Sequence, residues 1–374
     1  MNPVVQLRHE LHQNPELSGC EKETAARIAR FFEPLRPDVT LCDLGGHGIA
    51  FVFSGTASGP TVLLRCELDA LPIQEVNDFD ICSVVDGVSH KCGHDGHMAM
   101  LASVGCALSR KRPGKGHAVL LYQPAEENGR GAEAVICDPR FEEIKPDYVF
   151  ALHNLPGFPL GQILVRDGTF SCASRGVVIS LRGSIAHAAQ PETGHSPTNA
   201  MCRTIEMLEQ LRSSMSIGNE LAFATVVGAR LGAADSFSST PGYAEIRATL
   251  RSETDHTMNQ LVEKTEELMM HIASSERLRC DIEYLDDFNA TVNTNSAVNA
   301  VRRAAGDAKV QAIDKPFRWS EDFGRFTRIA EGALFGIGAG LDIPDLHDPA
   351  YDFPDDVMPL GATVLEELVR EYLS

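Results

Sequence analysis

The stretch AVLLYQPAEE, residues 118–127, combines two features that recur along this chain. Its first half is a short, unbroken apolar run, which is typical of a strand buried on both faces of an α/β sheet. Its second half brings a carboxylate pair, Glu126 and Glu127, directly behind that strand. Similar apolar runs lie at residues 49–53, 61–64 and 148–152. The pattern predicts a buried sheet whose strand ends carry polar side chains.

Amphipathic helices are predicted between these runs. Residues 21–32 place Ala25, Ile28, Ala29 and Phe32 at the three- and four-residue spacing of a helix face, and residues 101–108 repeat it. The same succession of helices and strands is predicted near the end of the chain, with a helix at 296–305, a strand at 333–337 and a final helix. These elements predict an α/β fold with a mixed sheet and helices on both of its faces.

The middle of the chain has a different pattern of apolar residues. Alternating residues predict strands at 177–181, 221–229, 244–250 and 280–285, and helical stripes lie at 201–211 and after Asp255, which we expect to cap its helix. The order βαββαβ indicates a ferredoxin-like unit. We therefore predict one α/β domain, residues 1–173 and 287–374, interrupted by a ferredoxin-like insertion at 174–286.

Composition excludes several classes of partner. The net charge of -19 over 374 residues argues against nucleic acid and against an anionic membrane surface. No stretch reaches the ~18 apolar residues of a membrane span. The first residues, MNPVVQLRHELHQNP, lack the features of a signal peptide, and the ten cysteines are scattered rather than paired in a dense framework. We expect a cytoplasmic protein.

Candidate ligands follow the predicted strands. Glu67 and Asp69 come after the run at 61–64, His153 directly after that at 148–152, and His347 in a loop after that at 333–337. Sites in open α/β sheets form beyond the carboxyl ends of the strands. A histidine after a strand is often structural and a glutamate pair is often solvated, but these donors share one position in the fold. The pattern predicts a site for metal ions.

The densest donor run is Cys92-Gly93-His94-Asp95-Gly96-His97. A thiol, two imidazoles and a carboxylate on one turn are suited to a divalent metal ion. Two other interpretations stay open at this point: the run could cap the next helix through Asp95, or Cys92 and His94 could form a nucleophilic pair.

A site with several imidazoles and carboxylates could hold two ions. Two ions stabilise both the attacking and the leaving oxygen and lower the pKa of water. One carboxylate must then stay unbound to act as general base, and the pair Glu126-Glu127 offers one ligand and one base.

In the insertion, the roles of His187 and Arg251 stay open: the histidine could be an ordinary loop residue, and the arginine could bind a carboxylate or face solvent.

The motifs together resemble the M20 metallopeptidase superfamily, in particular its amidohydrolase branch of aminoacylase-like, hippurate and auxin-conjugate hydrolases. LRHELHQNPELSG, LDALPI, CGHDGHM, YQPAEE, LHN, GSIAHAAQP, WSEDF and LHDPAYDF occur in that family's order and span nearly the whole chain.

The resemblance implies two divalent ions, Mn²⁺ or Zn²⁺, with Co²⁺ or Ni²⁺ as substitutes in vitro. Matched residue by residue, it makes Glu126 the general base and Asp69 a carboxylate that orients a ligand. It makes the insertion a lid and dimerisation domain, with His187 stabilising an oxyanion in the partner's site and Arg251 facing a substrate carboxylate. The implied metal ligands are Cys92, His94, Glu127, His153 and His347.

The chain also departs from that pattern. Glu67 stands where the branch usually has Asp, and Lys91 where a small residue precedes CGHD; Glu192, Ser196 and Ser239 differ in the insertion. The implied ligands are intact, so the changes concern substrate preference. The expected activity is hydrolysis of the amide bond of an N-acyl amino acid by a homodimer. The alternatives are a dipeptidase or carboxypeptidase of the same superfamily, acting on a short peptide, and a non-catalytic metal-binding protein.

Overall fold

A computed structural model describes residues 2–233 and 237–374. The chain divides into two compact units. The larger contains the chain up to Phe170 together with Thr291–Pro316 and Glu321–Ser374, and the smaller contains Ser171–Ala290 and Phe317–Ser320. The short segment 317–320 was not anticipated from the sequence as part of the smaller unit.

The strands are β1 Val39–Leu44, β2 Gly48–Ser54, β3 Ala57–Glu67, β4 Lys115–Gln123, β5 Tyr148–Pro156, β6 Ile163–Val165, β7 Gly168–Ser171, β8 Ala173–Arg182, β9 Ala222–Leu231, β10 Tyr243–Ser252, β11 Arg279–Phe288, β12 Thr291–Asn293, β13 Val310–Ala312 and β14 Glu331–Gly340. The α-helices of the described residues are α1 Pro3–Gln13, α2 Lys22–Phe32, α3 His94–Arg110, α4 Gly131–Cys137, α5 Thr198–Glu209, α6 Asp255–Ser275, α7 Asn295–Ala304, α8 Gly324–Thr327 and α9 Met358–Leu373.

The larger unit is built on a mixed sheet. Within the described residues eight strands pair in the order β1-β2-β4-β3-β5-β14-β6-β13. The four central strands run parallel, because β3 pairs parallel with β4 and with β5, and β5 pairs parallel with β14. In register, Glu67 lies beside Gln123, and His153 lies beside Gly336. The carboxyl ends of these strands therefore meet at one edge, where the sequence predicted its site.

Both faces of this sheet are covered, as its continuous apolar strands require. On one face, side chains of β2, β3 and β4 pack with α1, α2, α3, α7 and α9 in the main core. There Phe32 of α2 stacks on Phe51 of β2 with ring centroids 3.9 Å apart. On the other face, Val119 and Leu121 of β4 are also buried, and α4 and α8 contact the sheet. The predicted α/β fold with helices on both faces is confirmed.

The smaller unit has the predicted ferredoxin-like topology. Its elements follow the order β8-α5-β9-β10-α6-β11, and the sheet order is β11-β8-β10-β9 with antiparallel neighbours. Val177, Ile179 and Leu181 of β8 point into a core with α5 and α6, while their neighbours along the strand face away. The alternation read from the sequence is the consequence of this one-sided burial.

One detail of the smaller unit was wrong in the sequence analysis. Helix α6 is capped by Thr254, whose side chain accepts a hydrogen bond from the Thr257 amide. Asp255 is the first helical residue, and its carboxylate instead accepts hydrogen bonds from the Ala290 amide at 2.8 Å and from Asn289 Nδ2 at 3.1 Å.

In the part of the chain that the structure describes, no helix combines the length and the apolar character that crossing a bilayer requires.

The close contact between α3 and α2 generates a stability prediction at Gly105. A Cβ atom there would lie 2.4 Å from the Phe32 ring, which the stack on Phe51 prevents from moving. Alanine is favoured over glycine in a helix by about 1 kcal/mol, but overpacking a core costs about 1–3 kcal/mol. We expect Gly105→Ala to lower the free energy of unfolding, measured by urea titration with circular dichroism. Ser103→Ala, at a half-buried position of the same helix, is the control and should change it little; a stabilised Gly105→Ala protein would contradict the packing argument.

Candidate metal centre

Gly93 shapes the turn that carries two of the candidate ligands. It caps helix α3 in the left-handed region with φ of 90°, and Cys92 and His94 flank it. A Cβ atom at this position would lie 2.6 Å from the side-chain oxygen of Asn154, so both the backbone angle and the space require glycine. The tight turn directs the thiol and the first imidazole of the run to the same edge of the sheet.

His94 is held by Asp69, which follows β3. The imidazole Nδ1 lies 2.8 Å from the main-chain oxygen of Asp69, so Nδ1 donates and the neutral ring carries its lone pair on Nε2. The Asp69 carboxylate accepts hydrogen bonds from Ser18 Oγ at 2.7 Å and from the Glu127 amide at 3.0 Å. Asp69 therefore fixes the position of two candidate ligands at once.

His153 lies inside β5 rather than beyond its end. Its Nδ1 lies 2.9 Å from the main-chain oxygen of Asn154, and its Nε2 faces Cys92 Sγ at 3.6 Å. Burial lowers the pKa of His153 to about 3, so the imidazole is neutral, as a metal ligand must be. Burial also raises the pKa of the Cys92 thiol well above its usual range.

His347 approaches from the loop between β14 and α9. Its backbone lies in the left-handed region with φ of 66°, and 51% of its side chain is exposed. Its Nε2 lies 3.8 Å from Glu127 Oε2, while Glu127 Oε1 lies 3.8 Å from His94 Nε2. Glu127 thus faces a histidine with each of its carboxylate oxygens.

These distances fit metal coordination. Two donors on one tetrahedral ion, each about 2.0–2.3 Å from it, lie roughly 3.3–3.7 Å apart. His94 Nε2 and Glu127 Oε1 are buried and make no hydrogen bond of normal geometry with any described residue. Cys92 belongs to two groups of donors within 4.8 Å of one another, one with His94 and His153 and one with Glu127 and His347. The set of thiolate, imidazole and carboxylate donors suits divalent metal ions.

Glu126 occupies a different environment from its neighbour. Its carboxyl group is buried, and its Oε1 accepts a hydrogen bond from the Asp322 amide at 3.3 Å. Burial, together with the nearby carboxylates Glu321, Glu127 and Asp322, raises the pKa of Glu126 well above its usual range. A buried carboxyl group with a perturbed pKa is typical of a functional site.

A buried cluster of charges beside Glu126 was missed by the sequence analysis. The Arg65 guanidinium on β3 hydrogen-bonds Gln123 at 2.8 Å and forms ion pairs with Glu67, Glu321 and Asp322. Asp322 in turn accepts hydrogen bonds from Gln123 and from the Ala132 amide, while burial raises its pKa to about 7. The available signal was Arg65 itself, a charged residue inside the otherwise apolar run of a buried strand.

The rest of the CGHDGH run does not contribute donors in the same way. His97 lies between Glu67 Oε2 at 2.7 Å and Asn154 Oδ1 at 2.5 Å, so both ring nitrogens are engaged. Asp95 forms a buried ion pair with Arg8 at 2.8 Å and contacts His12 Nδ1 at 2.8 Å. Asp95 therefore anchors α1 to α3 and does not cap the helix.

Two of the predicted site residues lie in the smaller unit. His187 is exposed in a loop, where its Nδ1 accepts a hydrogen bond from the Ala189 amide at 3.1 Å. Arg251, at the end of β10, is half-buried and donates to the Arg318 main-chain oxygen at 2.9 Å and to Ser320 Oγ at 3.0 Å. The roles of both residues stay predictions.

Comparison with known proteins gives the family. A family model described as peptidase family M20/M25/M40 matches residues 63–371. The N-acetyl-L-cysteine deacetylase of Bacillus subtilis is 29% identical, with 99% of this chain and 88% of that protein covered. The hippurate hydrolase of Campylobacter jejuni is 29% identical, with 98% and 96% covered.

A solved structure shows the same fold over the full length. The YXEP protein of Bacillus subtilis, described as a dinuclear metal-binding peptidase of the M20 family, superimposes with a TM-score of 0.84 at 24% identity, covering 99% of this chain and 97% of that one. The resemblance inferred from the motifs is confirmed. The chain is a hydrolase that belongs to peptidase family M20/M25/M40.

Proposed function

We propose that this protein hydrolyses the amide bond of N-acyl amino acids with two divalent metal ions, Mn²⁺ or Zn²⁺. The ligands are Cys92, His94, Glu127, His153 and His347, and Glu126 is the general base. The observation that carries the proposal is the pair of donor groups that share Cys92, with the buried carboxyl group of Glu126 directly beside them. A site for binding alone would not need that additional proton acceptor.

The metal ions would supply Lewis acidity and lower the pKa of a water molecule in the site. The Glu126 carboxylate takes the proton from that water and passes it to the departing amine. The Asp322 amide holds Glu126 Oε1 for this transfer, and the Asp322 carboxylate is fixed by Gln123 and Ala132. Asp69 keeps His94 in the tautomer that leaves Nε2 available.

The proposed substrate class is supported by two kinds of observation. The relatives at 29% identity are an N-acetyl-L-cysteine deacetylase and a hippurate hydrolase, so N-acetyl and N-benzoyl amino acids are the first candidates. Arg251 would bind the substrate carboxylate, since a guanidinium can bind two oxygens at once. It would then exchange its bonds to Arg318 and Ser320 for the ligand.

We further propose a homodimer that forms through the smaller unit. Strand β9 is at the edge of its described sheet, and 64% of Val227 on it is exposed. An edge strand with exposed apolar side chains is suited to pairing with the same strand of a second copy. His187 would then reach the site of the partner subunit and stabilise the oxyanion.

A location in the cytoplasm stays a prediction from the sequence.

The direct test is a substrate panel on protein stripped of metal and reloaded with Mn²⁺, Zn²⁺ or Co²⁺. The panel contains N-acetyl and N-benzoyl amino acids, dipeptides and peptides. Turnover of the N-acyl amino acids is expected, and turnover of the peptides alone would favour the dipeptidase or carboxypeptidase alternative. A metal-loaded protein that is inert to the whole panel would favour a non-catalytic binding protein.

Glu126→Ala should abolish turnover while the metal content survives. A general base contributes typically about 10²- to 10⁴-fold to the rate, and Glu126 is not one of the proposed ligands. The measurements are kcat and the metal content by mass spectrometry. Glu142→Gln, on an exposed glutamate, is the control and should match the unsubstituted protein. Near-normal turnover of Glu126→Ala would show that the assigned role is wrong.

Cys92→Ser should lose metal first and activity as a consequence. Cys92 belongs to both donor groups, and a neutral hydroxyl is a much poorer ligand than a thiolate. Metal content and kcat are measured over the same range of added Zn²⁺. Cys106→Ser, at the half-buried cysteine of α3, is the control. Full metal content in an inactive Cys92→Ser protein would point back to a nucleophilic cysteine.

Two inactive variants test whether His187 acts across subunits. If it does, His187→Ala and Glu126→Ala proteins mixed and refolded together form heterodimers in which one site keeps both residues. We expect partial recovery of turnover, up to about a quarter of the unsubstituted rate, because random assembly of C₂ dimers gives about half heterodimers with one intact site each. Absence of recovery, or a monomer by light scattering, would contradict the cross-subunit role.

A further inference from the structure

Lys91 is a fully buried lysine directly before the ligand Cys92. Its Nζ lies 2.5 Å from Glu75 Oε1 and donates a hydrogen bond to the main-chain oxygen of Tyr351 at 2.7 Å. Its exposed fraction is 0%. A lysine at such a position is uncommon, because a buried ammonium group requires a charged partner and further acceptors.

The main chain of Lys91 contacts the same loop as its side chain. The main-chain oxygen of Lys91 accepts a hydrogen bond from the His347 amide at 2.8 Å. Lys91 is therefore bonded to both ends of the segment 347–351, once through its backbone and once through its ammonium group. This segment contains no helix or strand in the described structure, so such bonds define where it lies.

The partner of Lys91 strengthens the same connection. Glu75 also contacts His12 Nε2 at 3.1 Å and accepts a hydrogen bond from the Ser83 amide at 2.6 Å, so its carboxylate is held in place. The residues after Glu75 reach the loop too: Val76 N donates to the Pro349 oxygen at 3.3 Å, and Asn77 Nδ2 to the Ala350 oxygen at 3.1 Å. The ion pair thus ties segment 75–77, the turn before Cys92 and the loop of His347 together.

Stability alone does not account for this arrangement. The desolvation of two buried charges offsets most of their attraction, so an apolar pair of similar size would hold the fold as well. An ammonium group differs from an apolar side chain in that it fixes the Tyr351 carbonyl by a directed bond. His347 needs such support, since it is half-exposed and has a left-handed backbone.

We propose that Lys91 is a positioning residue for the metal ligand His347, and that its ammonium group sets the affinity of the ion bound by Glu127 and His347. This inference rests on the dinuclear centre proposed above. The ion on the side of His94 and His153 should depend much less on Lys91, because His94 is held by Asp69 and His153 lies in β5, and only the shared Cys92 is adjacent to Lys91.

The test is a titration of metal-free protein with Co²⁺. Binding is measured by calorimetry and by the visible absorption of the bound ion. Lys91→Met keeps the length of the side chain and removes the ammonium group. We expect the first ion to bind Lys91→Met as it binds the unsubstituted protein, and the second to bind about 10- to 100-fold more weakly, the usual effect of losing support around a ligand. Lys111→Met, on an exposed lysine at the end of α3, is the matched control and should leave both affinities unchanged.

The double variant Lys91→Met with Glu75→Gln separates positioning from stability. It removes both buried charges, so the destabilisation that an unpaired Glu75 causes in the single variant should be relieved. The bond to the Tyr351 carbonyl is still missing, so the second ion should remain weakly bound although the thermal midpoint recovers. The double variant also serves if the single one does not fold.

Two results would overturn the proposal. Equal affinity for the second ion in Lys91→Met and in the unsubstituted protein would show that the ammonium group does not position His347. Recovery of that affinity in the double variant, together with its stability, would show that Lys91 acts through stability alone. If the unsubstituted protein itself binds fewer than two ions, the dinuclear centre is wrong and the role of Lys91 is excluded with it.

Discussion

The structure depends on the burial of many carboxyl groups at one edge of one sheet. Six carboxyl groups lie there with little or no exposure, namely Glu67, Asp69, Glu126, Glu127, Glu321 and Asp322. Carboxylates so close together cannot all be ionised and out of water unless positive charge is near. Arg65 supplies one such charge and main-chain amides supply further donors. A divalent ion at the proposed site would add positive charge beside Cys92 and Glu127, which is the compensation that buried carboxylates need.

The same constraint extends into parts of the fold remote from the proposed chemistry. Asp95, next to the proposed ligand His94, lies between α3 and α1, where Arg8 and His12 neutralise its charge. His12 also contacts Glu75, and Glu75 forms an ion pair with Lys91. The first helix of the chain is thus joined to the ligand turn by a continuous series of buried ionic contacts. These directed contacts add to the apolar packing of Leu7 and Leu11 in fixing the position of α1.

Much of the fold could be predicted from the sequence, because burial of one or both faces of an element produces a regular spacing of apolar residues. The runs at 61–64 and 118–122 became β3 and β4, and the alternating residues of the insertion became β8 and β10. The proposed ligands were selected from their place after buried strands and from the motifs, and the structure brings Cys92, His94 and His153 close together. The charge cluster around Arg65 was harder to foresee, since acidic residues such as Glu321 and Asp322 are usually solvated and only three-dimensional proximity shows otherwise. The cap of α6 was missed for a related reason: the Asp255 carboxylate is engaged by Ala290, a contact distant in sequence.

The exposure of His347 differs sharply from that of the other proposed ligands. Half of its side chain is in contact with solvent, whereas His94 and His153 are buried. If two ions bind as proposed, water and small chelators can compete for the ion on the His347 side without any opening of the core, whereas the other ion would leave only when the surrounding structure moves. The two ions should then differ in residence time more than in the chemistry of their ligands. When free metal is limiting, such a centre would lose the ion on the His347 side first and pass through a half-loaded state.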